Sequence, residues 1–339
     1  MKQCSHAWIA LRALKLIDDL VAEGGLPQGV KRLNELLFNY LPDVYEGAWI
    51  PDTLIGDMAT GHIFKMDLLP DDPSGRFTVD YKSLSQRLGG KRRSLELAKD
   101  NDVLTKPYKA HASGGKLPNR VLSVSNSLSD MLKLSEFPFG QYTKVKKARA
   151  YRSESGYSST KIKALDLAPN FTGRQIALTY FLLSHYIVDG HMPLHCDVRD
   201  MSYDNKRKIF KGLHAKLESY WEAHMPGDTA FLVLPTLSLD EAVKRLPEGS
   251  IFAPISDGVE LFDFHPLAAG RDEWEEMVDA CRVSFALSRH LIPDQAQEVE
   301  DIVQFRSQQE LEEASRAIFT DAVTTVAAIW VKSWMDYVE

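Results

Sequence analysis

The chain has 339 residues, of which 44% are hydrophobic and 26% charged, and carries a formal net charge of −7. This is ordinary globular composition, with length enough to bury a sizeable core in one large domain or two. The acidic balance argues against binding nucleic acid by bulk electrostatics, and the lack of a run of about twenty apolar residues argues against a transmembrane helix.

From the N-terminus, Trp8, Ile9, Leu11, Leu14, Ile17, Leu20 and Val21 repeat at helical spacing, predicting a helix over 6–23 that Gly24 and Gly25 end. The opening Met1-Lys-Gln-Cys-Ser-His lacks the apolar core of a signal peptide, and Arg12, Lys15, Asp18 and Asp19 follow closely. The cysteines, Cys4, Cys196 and Cys281, are odd in number and far apart, so no disulfide framework follows. A cytoplasmic location is the simpler expectation, or secretion if the chain is a trimmed mature form. A short helix over 30–40 should stop at Pro42. Residues 66–82, rich in Asp, Pro and Gly, read as a loop or hairpin, and 83–98 as a polar helix. The pairs Gly89-Gly90 and Gly114-Gly115 each precede a lysine, but Arg92 and Leu117 stand where a phosphate loop needs its Mg²⁺-binding hydroxyl.

Residues 144–163 hold Lys144, Lys146, Lys147, Arg149, Arg152, Lys161 and Lys163 against Glu154 alone, interleaved with Tyr151 and Tyr157, and Tyr142 lies just before them. Such a segment suits contact with phosphates, and equally a solvated surface. Helices are predicted over 172–190 and 205–224. Residues 226–270 read as irregular, with Phe231-Leu-Val-Leu234 as a candidate strand. Two further helices fill 271–291 and 295–337, the second with Leu311, Ala314, Ile318, Ala322, Val326, Ile329 and Trp330 on one stripe. No repeat or low-complexity tract is present. The expectation is a mainly α, single-domain multi-helix bundle over 1–339, least defined over 66–170 and 226–270.

The chemistry concentrates in His185-Tyr-Ile-Val-Asp-Gly-His-Met-Pro-Leu-His195 and, nineteen residues on, His214-Ala-Lys-Leu-Glu218. His185 with Asp189 and His214 with Glu218 are i,i+4 pairs, which project from one helix face a turn apart. Gly190 and Pro193 break the first helix, so His195 leaves its end at a new angle. The stretch before His185 is nearly all apolar, and burying His185 and Asp189 at its end is costly unless they are paired or coordinate an ion. A His–Asp hydrogen bond would serve. The second pair of matching geometry makes a metal that prefers nitrogen and oxygen, such as Zn²⁺, the better reading. His111, His224, His265 and His290 lie outside any ligand spacing, and Cys196 reads as a small buried residue.

These motifs carry a family resemblance. Ser5-His-Ala-Trp-Ile-Ala-Leu-Arg-Ala-Leu14 resembles the opening helix of the bacterial zinc-dependent phospholipases C, where a histidine binds zinc. The block from His185 to His195 resembles the HxxxDxxxPxH core those enzymes share with the S1/P1 nucleases. Gly212-Leu-His-Ala-Lys-Leu-Glu218 resembles the next metal helix, with Glu as in the phospholipases rather than the Asp usual in the nucleases. Asp52, with Asp57 as a rival, and His62 sit where the family has two more ligands. The likeness touches roughly residues 1–65 and 175–225. It implies the family's helical fold and two to three Zn²⁺ ions held by His6, Asp52, His62, His185, Asp189, His195, His214 and Glu218. Asp189 would bridge two zincs, and Asp52 would orient or deprotonate the attacking water. His191 lies inside the core motif but is not a ligand position there, leaving a role behind the ligands open.

In the family, the amine and carbonyl of an N-terminal tryptophan complete one zinc site. This chain has Met1 five residues before His6, and the bulk of Lys2 should protect it from removal. Met1 is therefore the expected ninth ligand, with the Cys4 thiolate as rival and a two-metal enzyme as the third possibility. Three carboxylates against six zinc charges leave a positive cleft, for which a phosphodiester is the natural guest. A metal-bound hydroxide would attack phosphorus, and the ions would steady the extra charge. The expected activity is hydrolysis of a phospholipid head group at a peripheral membrane contact, as in phospholipase C. Single-strand nuclease activity is the alternative, and a non-catalytic, metal-stabilised protein the third.

Overall fold

Residues 317–331 are buried without a break, and a helix apolar on every face needs neighbours all round. In the computed structural model, which describes residues 1–56, 61–68, 81–88, 92–99, 108–110, 115–134, 171–201, 208–258, 264–267 and 270–338, that helix is the axis of the molecule.

The chain opens with α1 (Gln3–Ala22) and α2 (Val30–Asn39), then a 3-10 turn (Leu41–Asp43), α3 (Val44–Gly47) and a π-helical turn (Pro51–Ile55). Strand β1 (Met66–Leu68), α4 (Tyr81–Arg87), α5 (Arg93–Ala98), β2 (Tyr108–Ala110) and α6 (Leu117–Leu134) follow. The metal-motif helices are α7 (Gly173–Asp189), α8 (Pro193–Cys196) and α9 (Lys211–Glu222). Short helices α10 (Asp228–Phe231), α11 (Leu239–Val243) and α12 (Ala253–Ser256) lead to α13 (Glu273–Leu291), α14 (Val299–Phe305) and α15 (Gln308–Val338).

The molecule is mainly helical, and α15 packs against α1, α2, α5, α6, α7, α13 and α14. On α1, Trp8 is fully buried and donates its indole N–H to the Val243 carbonyl at 3.0 Å. Burying a side chain of that size contributes about 2–3 kcal/mol. Polar side chains on α15 are spent locally: Asp321 accepts the backbone N–H of Arg93 at 3.0 Å and of Ser94 at 2.9 Å, supplying donors that α5 leaves open at its N-terminus. By length and composition α15 is long and apolar enough to cross a membrane, but 94% of its most apolar window is buried inside the protein. That is what a core helix looks like.

Several sequence expectations are corrected. The loop or hairpin expected over 66–82 is described only at its ends: β1 pairs antiparallel with the distant β2, Met66 opposite Ala110, and helix is present from Tyr81, while 69–80 lie outside the described residues. The helix expected over 83–98 is two helices whose leucines Leu84, Leu88 and Leu95 are buried. Residues 226–270 show no strand among the described residues. Phe231 ends α10, and a 3-10 turn follows over Leu234–Thr236 with Pro235 in its first positions. The last expected helix divides at Arg306, whose backbone (φ −116°, ψ −101°) is not helical. Its longer part buries all its faces rather than one stripe, because the bundle surrounds it. The helix expected over 205–224 is α9, which runs from Lys211 to Glu222, and residues 208–210 are coil. Helix α6, whose Leu117, Val121, Leu128 and Leu132 are buried, was not anticipated.

Candidate metal centre

His185 and Asp189 sit on the last turn of α7, both about 1% exposed. Helix α7 is launched by a capping box in which the Thr172 hydroxyl accepts from Gln175 N and the Gln175 side chain accepts from Thr172 N. Gly47 on α3 lets the chain lie against α7, since a Cβ there would meet the Cβ of Phe181 at 2.8 Å. This approach brings the next carbonyl, that of Ala48, to 2.6 Å from His185 Nδ1. A ring nitrogen facing a carbonyl must carry the proton, so His185 Nε2 presents its lone pair to the interior. It points at His62 Nδ1 (3.1 Å), Asp189 Oδ2 (3.3 Å) and Asp52 Oδ1 (3.7 Å).

Asp189 joins the whole arrangement. Its Oδ2 lies 2.7 Å from His62 Nδ1, while its Oδ1 faces His195 Nδ1 (3.4 Å), His6 Nε2 (3.6 Å) and the Met1 amine (3.6 Å). A few ångströms away, His195 Nε2 and His214 Nε2 are 3.1 Å apart, and Glu218 Oε1 is 3.1 Å from His214 Nε2 and 2.9 Å from the Met1 amine. Three sets of ligand atoms result, each within 4.8 Å: His6 with His185 and Asp189, Asp52 with His62 and His185, and His195 with His214 and Glu218. All nine groups singled out in the sequence therefore meet in one place.

The local backbone explains the convergence. His62 lies on a segment whose Phe64 N–H donates to the His195 carbonyl at 3.1 Å, and Met66 bridges to Asp197. Gly115 sits beneath that segment at φ +103°, where a Cβ would lie 2.0 Å from the Ile63 carbonyl oxygen. Only glycine fits there. The π-helical turn from Pro51 to Ile55 carries Asp52 toward the two histidines, and wider turns of this kind recur at functional sites.

Electrostatics favours a guest cation. Burial disfavours the Asp189 anion, but the neighbouring His185 and His195, with the hydrogen bond from His62, hold its carboxyl well below the usual range. Glu218, also opposed by burial, is held low by the Met1 amine and His214. Burial and the neighbouring His185 keep His6 neutral, and burial does the same for His195. Burial opposes protonation of the Met1 amine, yet Glu218 and Asp189 raise it. Asp52, half-buried beside Asp189, is pushed up mainly by its burial. Both ring nitrogens of His6 and Nδ1 of His195 are buried without a hydrogen-bond partner among the described residues. Buried polar atoms are almost always satisfied, so the unpartnered nitrogens of His6 and His195, both rings held neutral and facing Asp189, fit a metal ion.

No family model matches the chain, and no curated protein or solved structure is similar to it.

Other candidates are placed elsewhere. The Cys4 thiol turns from the cluster to Asp228 Oδ1 at 3.3 Å, and burial with Glu222 and Asp228 pushes it up, which disfavours a thiolate ligand. His191 points away to the Thr325 hydroxyl at 3.0 Å. Cys196 is fully buried, as expected, against the Gly190 carbonyl. His224 packs edge-on against Tyr220 and Phe252. Asp57, His111 and the basic segment 144–163 lie outside the described residues. Sequence reasoning missed the Ala48 carbonyl, the Trp49 ring 5.7 Å from His185, and the buried Lys65 with Asp200 beside His214. Only the three-dimensional approach of α3 to α7 and of the His62 segment to α8 exposes them.

Proposed function

We propose that the chain is a zinc-dependent phosphodiester hydrolase of the phospholipase C/P1 nuclease type, acting most like a phospholipase C. The observation that carries this reading is Asp189, whose two oxygens face separate histidine sets while a third His–Glu set lies beside them. Three ligand sets clustered near Asp189, two of them sharing His185, suit a polynuclear centre better than a lone structural ion, which takes four ligands in a closed shell. The Glu at 218 and the helix around His6 favour the phospholipase over the nuclease.

In this reading His62, His185, Asp52 and Asp189 hold one zinc, His195, His214 and Glu218 a second, and His6, Asp189 and the Met1 amine and carbonyl a third. Zinc bound there supplies positive charge for the phosphoryl oxygens and makes a coordinated water acidic near neutral pH. The protein's own residues do the rest. His185 is locked in one tautomer by Ala48, and Asp189 ties the sets together so that the substrate meets a preorganised site. Asp52, the most exposed of the core carboxylates at 20% of its side chain, is placed to orient the attacking water and accept its proton.

The test compares hydrolysis of a choline phospholipid in vesicles with that of single-stranded DNA, each with and without chelator. Chelator-sensitive release of the phosphorylated head group supports the proposal. Chelator-sensitive cleavage of DNA alone moves the chain to the nuclease reading, and hydrolysis of neither contradicts both.

A further inference from the structure

Lys65 is 1% exposed, and a buried ammonium must have its hydrogens accepted. It donates to the Leu194 carbonyl, next to His195, and to Asp200 Oδ2 at 3.0 Å. That same Oδ2 lies 3.6 Å from Nδ1 of His214, on the far side of the ring from Glu218 and His195. Asp200 Oδ1 is buried with no hydrogen-bond partner among the described residues, so the carboxylate has accepting capacity unspent.

The turn that carries Asp200 cannot wander. In the 3-10 turn Val198–Met201, Arg199 Nε and Nη2 donate to Asp197 Oδ2 at 2.9 and 2.7 Å, and the guanidinium reaches the Ile292 and Ser288 carbonyls of the α13 end. The Ser288 hydroxyl also donates to Asp197 at 2.8 Å. This is much fixed hydrogen bonding spent on a four-residue turn whose carboxylate lies beside a histidine.

We propose that Asp200, fixed by Lys65, is the positioning residue for His214. Its carboxylate takes the Nδ1–H, so that Nε2 presents a lone pair to a cation held with His195 and Glu218. The inference rests on the metal-centre reading above. At 3.6 Å the contact is longer than a finished hydrogen bond, and it should shorten once Nε2 is held. Histidine ligands backed by a carboxylate are oriented and made more basic, and losing such a partner typically lowers metal affinity 10–100-fold. Lys65 adds a second function. Three residues after His62 and bonded beside His195, it fixes the register between one ligand set and another.

The test is metal retention by the full chain and its Asp200→Asn and Asp200→Ala variants, dialysed against graded chelator, with circular dichroism as the check on folding. Visible spectra of the Co²⁺-loaded proteins report ligand geometry independently of activity. The expected result is one ion weakened 10–100-fold in Asp200→Ala with a changed cobalt spectrum, the other ions held as in wild type, and Asn intermediate because it keeps an acceptor oxygen. Equal retention in all three proteins overturns the positioning role alone. Uniform loss of every ion together with helix content shows a merely structural role and also overturns it. If only Asn folds, its cobalt spectrum decides: an unchanged spectrum overturns the role. Wild type that takes up neither Zn²⁺ nor Co²⁺ overturns this inference together with the metal centre.

Discussion

His6 lies flat on His185, with ring centroids 3.9 Å apart and planes 7° from parallel. The two residues come from α1 and α7, and neither ring nitrogen of His6 has a hydrogen-bond partner among the described residues. Stacking therefore sets the orientation of His6 before any ligand arrives, and Asp189 Oδ1 at 3.6 Å is the nearest carboxylate to its Nε2. Two face-to-face imidazoles sharing one aspartate are a preorganised ligand pair.

Asp189 is then the residue whose charge is least replaceable. Asp189→Asn keeps the shape but removes the anion that faces Met1, His6, His62, His185 and His195. We expect phosphodiester hydrolysis to fall about 10²–10³-fold or more, with lower metal occupancy. Steady-state rates and metal analysis on the same preparation check it, and near-native values for both would remove Asp189 from the centre.

The N-terminal amine sits 2.9 Å from Glu218, so any extension that buries no amine there should disturb the third set. A protein with an uncleaved N-terminal tag is expected to lose one zinc relative to one that begins at Met1. Cys4→Ser should keep full zinc content, because the thiol faces Asp228. Loss of zinc in Cys4→Ser with none in the tagged protein would reverse the assignment.

Gly115→Ala should act at a distance from the ligands. The added Cβ cannot coexist with the Ile63 carbonyl, so the segment carrying His62 must move. Destabilisation of about 1–3 kcal/mol, with weakened metal retention, is expected from urea unfolding and chelator dialysis. Unchanged values in both would show that the segment has slack.

The long periodic helices and the i,i+4 ligand pairs were legible in the sequence because each is written locally. Val30 to Asn39, Gly173 to Asp189 and Glu273 to Leu291 carry their own apolar patterns and end signals. The β1–β2 pairing was not, since Met66 finds Ala110 across a long stretch, while the Asp, Pro and Gly just after Met66 point to a nearer partner. Helix α15 misled for another reason. Its Thr and Ser residues look like a polar face, yet they are buried, and the Thr324 and Thr325 hydroxyls donate to the Thr320 and Asp321 carbonyls one turn back. Within the site, ligands that sit on one helix could be read. The partners that orient them, Ala48 behind His185 and Asp200 behind His214, come from other elements and left no spacing to find.

Acid should weaken the metal-free fold through His191. Burial, with Arg92 adding to it, pushes this imidazole down to about 3, against an ordinary value of 6.5. The unfolded chain therefore binds a proton that the folded one refuses. The stability at issue is fully present above pH 6.5 and is lost as pH falls from there toward 3. By pH 5 the loss is on the order of 2 kcal/mol. Comparing urea unfolding of chelator-treated protein at pH 7 and pH 5, His191→Gln should lose less than wild type does. Equal losses would place the acid sensitivity in other groups.

The most direct test of the metal centre is elemental analysis of protein purified mildly with its Met1 amine free. The geometry of three ligand sets around Asp189 predicts two to three zinc ions per chain. Each should add to stability by mass action, about 2.7 kcal/mol when free zinc stands at a hundredfold its dissociation constant. A protein that carries no zinc as purified, and takes up none when Zn²⁺ is added, would contradict it.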